Sequence, residues 1–141
     1  MNNIFIYYII LYYIMSEIIR YCMSKEEHEG DNVFKICRPN IMGNPFTHLP
    51  KKQTKFKNLI KVKSREDAVR LYEPYFDSMV ATNPTFQAEW DRMFSAYLKY
   101  DKIYIGCFCD ESEPCHGDII IKKLRQRAIK QMLNNLSLTK N

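Results

Sequence analysis

The stretch DKIYIGCFCDESEPCHGD, residues 101–118, decides how this chain is built. Its opening, DKIYIGCF (101–108), is apolar at both alternating sets of positions. That is the pattern of a central strand covered on two faces. Its close, Cys115-His116-Gly117-Asp118, runs into GDIIIKKLRQRAIKQMLNNL (117–136), where Ile120, Leu124, Met132, Leu133 and Leu136 recur at helical spacing and the basic residues fall mostly outside that stripe. A strand, a short polar loop and a helix in succession form the building step of α/β proteins, and open α/β sheets bind ligands beyond the carboxyl ends of their strands. Cys109 sits about where this strand ends.

Upstream the same grammar continues. EIIRYCM (17–23) and NVFKICRPN (32–40) read as strands, the second stopped by Pro39, with the polar turn KEEHEGD between them. RPNIMGNPFTHLP (38–50) is rich in proline, glycine and asparagine, as an irregular but structured loop would be. FKNLIKVK (56–63) reads as an edge-like third strand or an extended connection, its lysines blunting the edge. SREDAVRLYEPYFDSMVA (64–81) opens with Ser64 as N-cap and Asp67 three residues on, carries Ala68, Leu71, Tyr75 and Met79 at helical spacing, and contains Pro74, which predicts a kink. NPTFQAEWDRMFSAYLKY (83–100) has Asn83 as N-cap, Pro84 at the first helical position and an apolar stripe of Phe86, Trp90, Met93, Phe94 and Tyr97, read as core. The order β-β-(β)-α-α-β-α predicts a small three-layer, Rossmann-like α/β domain, a short sheet covered by helices.

At 141 residues and 16.9 kDa, with 46% hydrophobic and 26% charged residues, the chain makes one globular domain with a core of its own. IFIYYIILYYIM (4–15) is apolar but about a dozen residues long, against roughly twenty for a spanning helix. It has no basic residue before it and no small-residue cleavage site after it. Residues 1–14 are therefore expected outside the domain, as an upstream extension of the reading frame or a tail, with a membrane anchor the weaker reading. Residues 15–136 form the domain and 137–141 a tail. The five cysteines are odd in number and not spaced as a secreted disulfide framework, which predicts reduced thiols and a cytoplasmic setting. A net charge of +5 gathers in KKQTKFKNLIKVKSR (51–65) and KKLRQRAIK (122–130), either solvated faces or the footprint of an anionic partner.

Two constellations carry chemistry. Cys115, at a helix start beside His116, is the leading thiolate candidate, because N–H groups and the helix dipole lower a thiol's pKa. His116 would be its base and Asp118 would orient the histidine or cap the helix. Gly117 would let a ligand approach the backbone. Cys107, Cys109, Cys115 and His116 also have the ligand types of a zinc site, although C-x-C-x5-C-H lacks paired C-x2-C knuckles. Cys107 taken alone reads as a small buried residue. In the second constellation, CRPNIMGNPF (37–46), the planar fork of Arg38 suits phosphate or carboxylate. Gly43 and Asn44 turn the chain, Asn44 offers an amide to a ligand, and Phe46 is a lid on the core or a stacking surface. His28 and His48 read as surface histidines.

Together, R-P-x3-G-N-P-F at 38–46, the REDAVRLYEPYF helix at 65–76, and C-x-C followed by P-C-H-G-D at 107–118 resemble domain-of-unknown-function family 4326, found in bacteriophages, other viruses and bacteria. The resemblance runs from about Ile18 to about Arg127, and here DESE before Pro114 lengthens the family's usual spacing. It implies that Arg38, Gly43, Asn44, Pro45, Cys109, Cys115, His116, Gly117 and Asp118 belong to the family signature and meet around one pocket, in host-cell cytoplasm if the protein is viral. The resulting expectation is a domain that binds or processes an anionic, nucleotide-like small molecule at a Cys-His site. The alternatives are a zinc-stabilised interaction module and a nucleic-acid-binding accessory protein. No membrane is expected for the folded domain.

Overall fold

The computed structural model describes residues 3–14, 16–50, 56 and 58–139. Helix α1 (Asn3–Ile14) precedes strand β1 (Glu17–Cys22) and the short β2 (Val33–Lys35). Two brief strands, β3 (Phe46–Thr47) and β4 (Ile60–Lys61), precede helices α2 (Arg65–Thr82) and α3 (Pro84–Lys99). Strand β5 (Lys102–Cys107) and helix α4 (His116–Thr139) follow. The main sheet has the order β1-β5-β2, all parallel, so the strand expected at the centre is the one both others pair with. Glu17 to Cys22 lie opposite Lys102 to Cys107, and Val33 to Lys35 opposite Tyr104 to Gly106. The segment 56–63 contributes no strand to this sheet; its β4 pairs parallel with β3 inside the loop that looked irregular.

The helix starts follow local chemistry. Ser64 Oγ accepts from Asp67 N–H at 3.1 Å, and Asn83 Oδ1 accepts from Phe86 N–H at 3.0 Å, each satisfying a donor that the first turn cannot. Helix α2 runs on through Pro74. Its buried residues are Ala68, Tyr72 and Phe76, a stripe rotated from the expected one, since Leu71, Tyr75 and Met79 are only half-buried. All five apolar residues expected of α3 are buried. On α4, Ile120, Leu124 and Met132 are inward, joined by Ala128, whereas Leu133 is 54% exposed.

The helices meet the sheet through one set of alternating residues. Phe34, Ile36, Ile103, Ile105 and Cys107 form a continuous core with Tyr72 and Phe76 of α2, Phe86 to Tyr97 of α3, and Ile120 and Leu124 of α4. The other sheet face is covered, among the described residues, by the 23–32 connection: His28 stacks on Tyr104 at 4.0 Å and meets Tyr21 edge-on at 4.6 Å. His28 is thus a lid on the sheet rather than a free surface histidine. Tyr21 lies across Gly106, where an added Cβ would come within 2.7 Å of the ring. The protein is a small α/β domain with a parallel sheet, as its pattern predicts. Helix α1 packs along α4 with Ile4, Phe5, Tyr7 and Tyr8 exposed, and no described helix is long and apolar enough to cross a membrane.

Candidate functional site

The carboxyl end of β5 and the start of α4 are tied together by strand β1. Arg20 Nε stands 3.2 Å from Asp118 Oδ1, and Arg20 NH2 donates to the carbonyls of Glu111 and Glu113 at 2.8 and 2.9 Å. The DESE loop is therefore anchored. Glu113 pairs with Arg65 Nε at 2.9 Å, and Asp110 pairs with Lys25. Asp118 Oδ2 accepts from Cys115 N–H at 3.1 Å, so Asp118 caps its own helix and does not orient His116.

This anchoring folds three sulfurs together. The Sγ atoms of Cys107, Cys109 and Cys115 lie within 4.8 Å of one another, and that of Cys107 is 3.2 Å from that of Cys115. Such a set could hold a metal ion. Alternation along the strand end puts Cys107 and Cys109 on one side, with the Phe108 side chain out in solvent. The helix start then delivers Cys115. Each sulfur also receives an N–H: Arg20 NH1 reaches Cys107 at 4.0 Å, Arg65 NH1 reaches Cys109 at 3.4 Å, and Gly117 N–H reaches Cys115 at 3.3 Å.

His116 stands outside that set. Its Nε2 lies 2.9 Å from the carbonyl oxygen of Ile36, and a carbonyl only accepts, so Nε2 carries the proton. Nδ1 is then an acceptor, 3.8 Å from Cys115 Sγ. Burial, foremost, lowers the histidine's pKa and keeps it neutral.

The three thiols are not equivalent. Hydrogen bonds from Cys107 and Cys115, and the facing Arg65, favour the ionised form at Cys109. Cys109 is accordingly held well below the ordinary thiol range, while Cys115, hydrogen-bonded to Cys107 and Cys109, is pushed far above it. The expected anion cradle at 115–118 is also occupied from within, since Gly117 N–H, Asp118 N–H and Cys115 N–H all donate to Cys115 or Asp118.

Above the sulfurs opens a cleft of about 1010 Å³. Arg38, Asn44, Phe46 and Arg65 line it together with the three cysteines and His116. Burial draws the Arg38 guanidinium down from its ordinary pKa, and it lies 5.8 Å from the centre of the Phe56 ring. Among the described residues no carboxylate pairs with it. Asn44 is buried and its amide serves the fold: Nδ2 donates to Ala68 O and Oδ1 accepts from Phe46 N–H, both at 3.0 Å. Phe46 meets Tyr75 edge-on at 6.2 Å. Gly43, Gly117 and Asp118 stand behind the wall; an added Cβ on Gly43 would meet Arg38 Cγ at 3.0 Å, and one on Gly117 would meet Arg20 and Ile36 at 3.1 Å. His48 lines the cleft as well.

Reasoning from the sequence missed Arg20 and Arg65. Arg20 had a signal, a lone charge in the apolar run EIIRYC. Arg65 was merged into the basic stretch 51–65, of which 51–55 and 57 lie outside the described residues. The basic face of α4 is largely matched by acids: Lys122 pairs with Glu73 at 2.7 Å, and Lys123 with Asp77 and Arg127 with Asp91 at 2.8 Å.

No curated protein and no solved structure matches the chain. A family model does, over residues 19–126, from β1 well into α4 and across every cleft residue named above. By that match the chain belongs to the family described as Domain of unknown function (DUF4326).

Proposed function

We propose that the protein binds an anionic, nucleotide-like small molecule in the cleft above the cysteine cluster. The observation that carries this reading is Arg38, a part-buried guanidinium lining the cleft, with no carboxylate partner among the described residues. A planar fork in partly desolvated surroundings favours a bidentate phosphate or carboxylate. Arg65, paired with Glu113, lines the same cleft, and Phe46 gives an aromatic wall of the kind on which a base can stack. Binding, rather than turnover, is the reading put forward: Asp118 is engaged with Arg20 and the Cys115 N–H, and His116 Nε2–H is held by the Ile36 carbonyl.

The test is calorimetry of the reduced protein with pyrophosphate, nucleoside mono- and diphosphates, and the matching neutral nucleosides. Charged ligands should bind and their neutral counterparts should not. Arg38→Ala should weaken binding about 10- to 100-fold, the worth of a hydrogen bond to a charged group. Equal affinity for charged and neutral members, or an unaffected Arg38→Ala variant, would sink the reading.

The zinc-stabilised reading has its own support in the sulfur cluster and is compatible with an anion above it. The nucleic-acid reading has less, because three cations of α4, Lys122, Lys123 and Arg127, are already paired with α2 and α3.

A further inference from the structure

The three cysteines pose a charge problem that thiols alone do not solve. Cys107, Cys109 and Cys115 bring their sulfurs within 4.8 Å of one another, and each is met by an N–H group, two of them from arginines. N–H donors and guanidinium groups aimed at every sulfur suit thiolates, yet touching thiolates without a counterion repel. A divalent cation resolves this: three thiolates and one such ion leave a single negative charge, set beside the Arg20–Asp118 and Arg65–Glu113 pairs.

The spacing agrees. A zinc–sulfur bond of about 2.3 Å in tetrahedral geometry separates ligand sulfurs by roughly 3.8 Å. The observed set, 3.2 Å for the Cys107–Cys115 pair and within 4.8 Å for every pair, is close enough to converge on one ion with small side-chain shifts. Sulfur ligands select zinc over magnesium or calcium.

The fourth position is the informative one. His116 packs edge-on to Tyr72 at 4.8 Å, and although its Nδ1 lies 3.8 Å from Cys115 Sγ, it does not come within 4.8 Å of all three sulfurs. The sulfurs themselves line the cleft. We propose that Cys107, Cys109 and Cys115 bind a zinc ion as three thiolates, with its fourth position open to the cleft and filled by a donor atom of the anionic ligand. A closed site is structural, whereas a site with one open position accepts an exchangeable ligand. This inference rests on the cleft binding an anion and names what that anion touches.

Metal analysis of the full chain, purified reduced, and cobalt(II) substitution test it. The expected results are stoichiometric zinc, its loss in Cys109→Ser, and a sulfur-to-cobalt charge-transfer band in the cobalt form. Inorganic phosphate or azide should then shift the visible cobalt bands, and His116→Gln should keep its metal. A chain that neither retains zinc nor takes up cobalt overturns the site. Cobalt bands indifferent to both anions, or a folded His116→Gln chain without metal, overturn the open position. Phosphate binding to a metal-free chain, measured by calorimetry, would leave the anion cleft standing and remove the metal from it.

Discussion

Arg20 and Asp118 face each other at 3.2 Å across the junction of β1 and α4, and this pair holds the loop that carries the cysteines. The Arg20 side chain is 11% exposed, and its fork also supplies the carbonyls of Glu111 and Glu113. Asp118 in turn caps the helix through Cys115 N–H. One arginine thus sets the position of Cys115 relative to Cys107.

Replacing that fork should loosen the loop before it unfolds the domain. Arg20→Ala is expected to cost about 1.5–3 kcal/mol, as charged hydrogen bonds do. Arg20→Lys should recover little, since a point charge cannot reach both carbonyls and Asp118. Denaturant melts give the cost, and hydrogen exchange at 110–116 should quicken in both variants. Unchanged exchange there would show that the loop holds itself.

Gly106 is expected to tolerate no side chain. A Cβ there would come within 2.7 Å of the Tyr21 ring, so Gly106→Ala should destabilise by about 1–3 kcal/mol, the usual cost of overpacking. Trimming Tyr21 to Leu in the same chain should recover part of that loss, a coupling that a double-mutant cycle reads directly. Strict additivity would place the clash elsewhere.

Asn44 tests whether the cleft depends on a structural amide. Asn44→Ala removes the bonds to Ala68 O and Phe46 N–H and should cost about 1–3 kcal/mol. Anion affinity should fall with it even though Asn44 need not touch the ligand, because Arg38 and Phe46 lose their shared loop. Retained affinity in a destabilised Asn44→Ala chain would separate the loop's anchoring from its binding.

Glu73 predicts a pH effect of known sign. Its hydrogen bond to Lys122, foremost, and the charge of Lys123 hold its carboxyl below the ordinary range in the folded state. Stability from this source is present above the unfolded value of about pH 4.3 and is lost as pH falls through the folded one. The pair is exposed, so Glu73→Gln should cost under about 1 kcal/mol at pH 7. The gap between the two chains should close as pH falls below the folded value, and a gap that widens on acidification would reverse the assignment.

Much of the fold was legible in local pattern. Ser64 and Asn83 announce their helices because a cap bonds an N–H only a few residues away. The α3 stripe and the central strand 102–107 follow from periods of 3.6 and 2 residues that any short window displays. Where helical phase had to be chosen among many apolar residues, as on α2, the pattern allowed a rotated stripe, and only packing against α3 and α4 selected Ala68, Tyr72 and Phe76. The turn at 43–47 hid a strand pair, because a two-residue strand is too short to show alternation.

The sequence by itself determined a strand, a loop and a helix start, with cysteines at both ends of the loop and Arg38 at the end of another strand. Only the tertiary structure decided that the sulfurs converge and that Arg20 and Arg65 serve them. The physical reason is range. Caps and periodicity act within a turn or two of chain, whereas Arg20 reaches Cys107 across 87 residues and Arg65 reaches Cys109 across 44. Such contacts depend on parallel register and helix docking, and these are properties of the whole packed core.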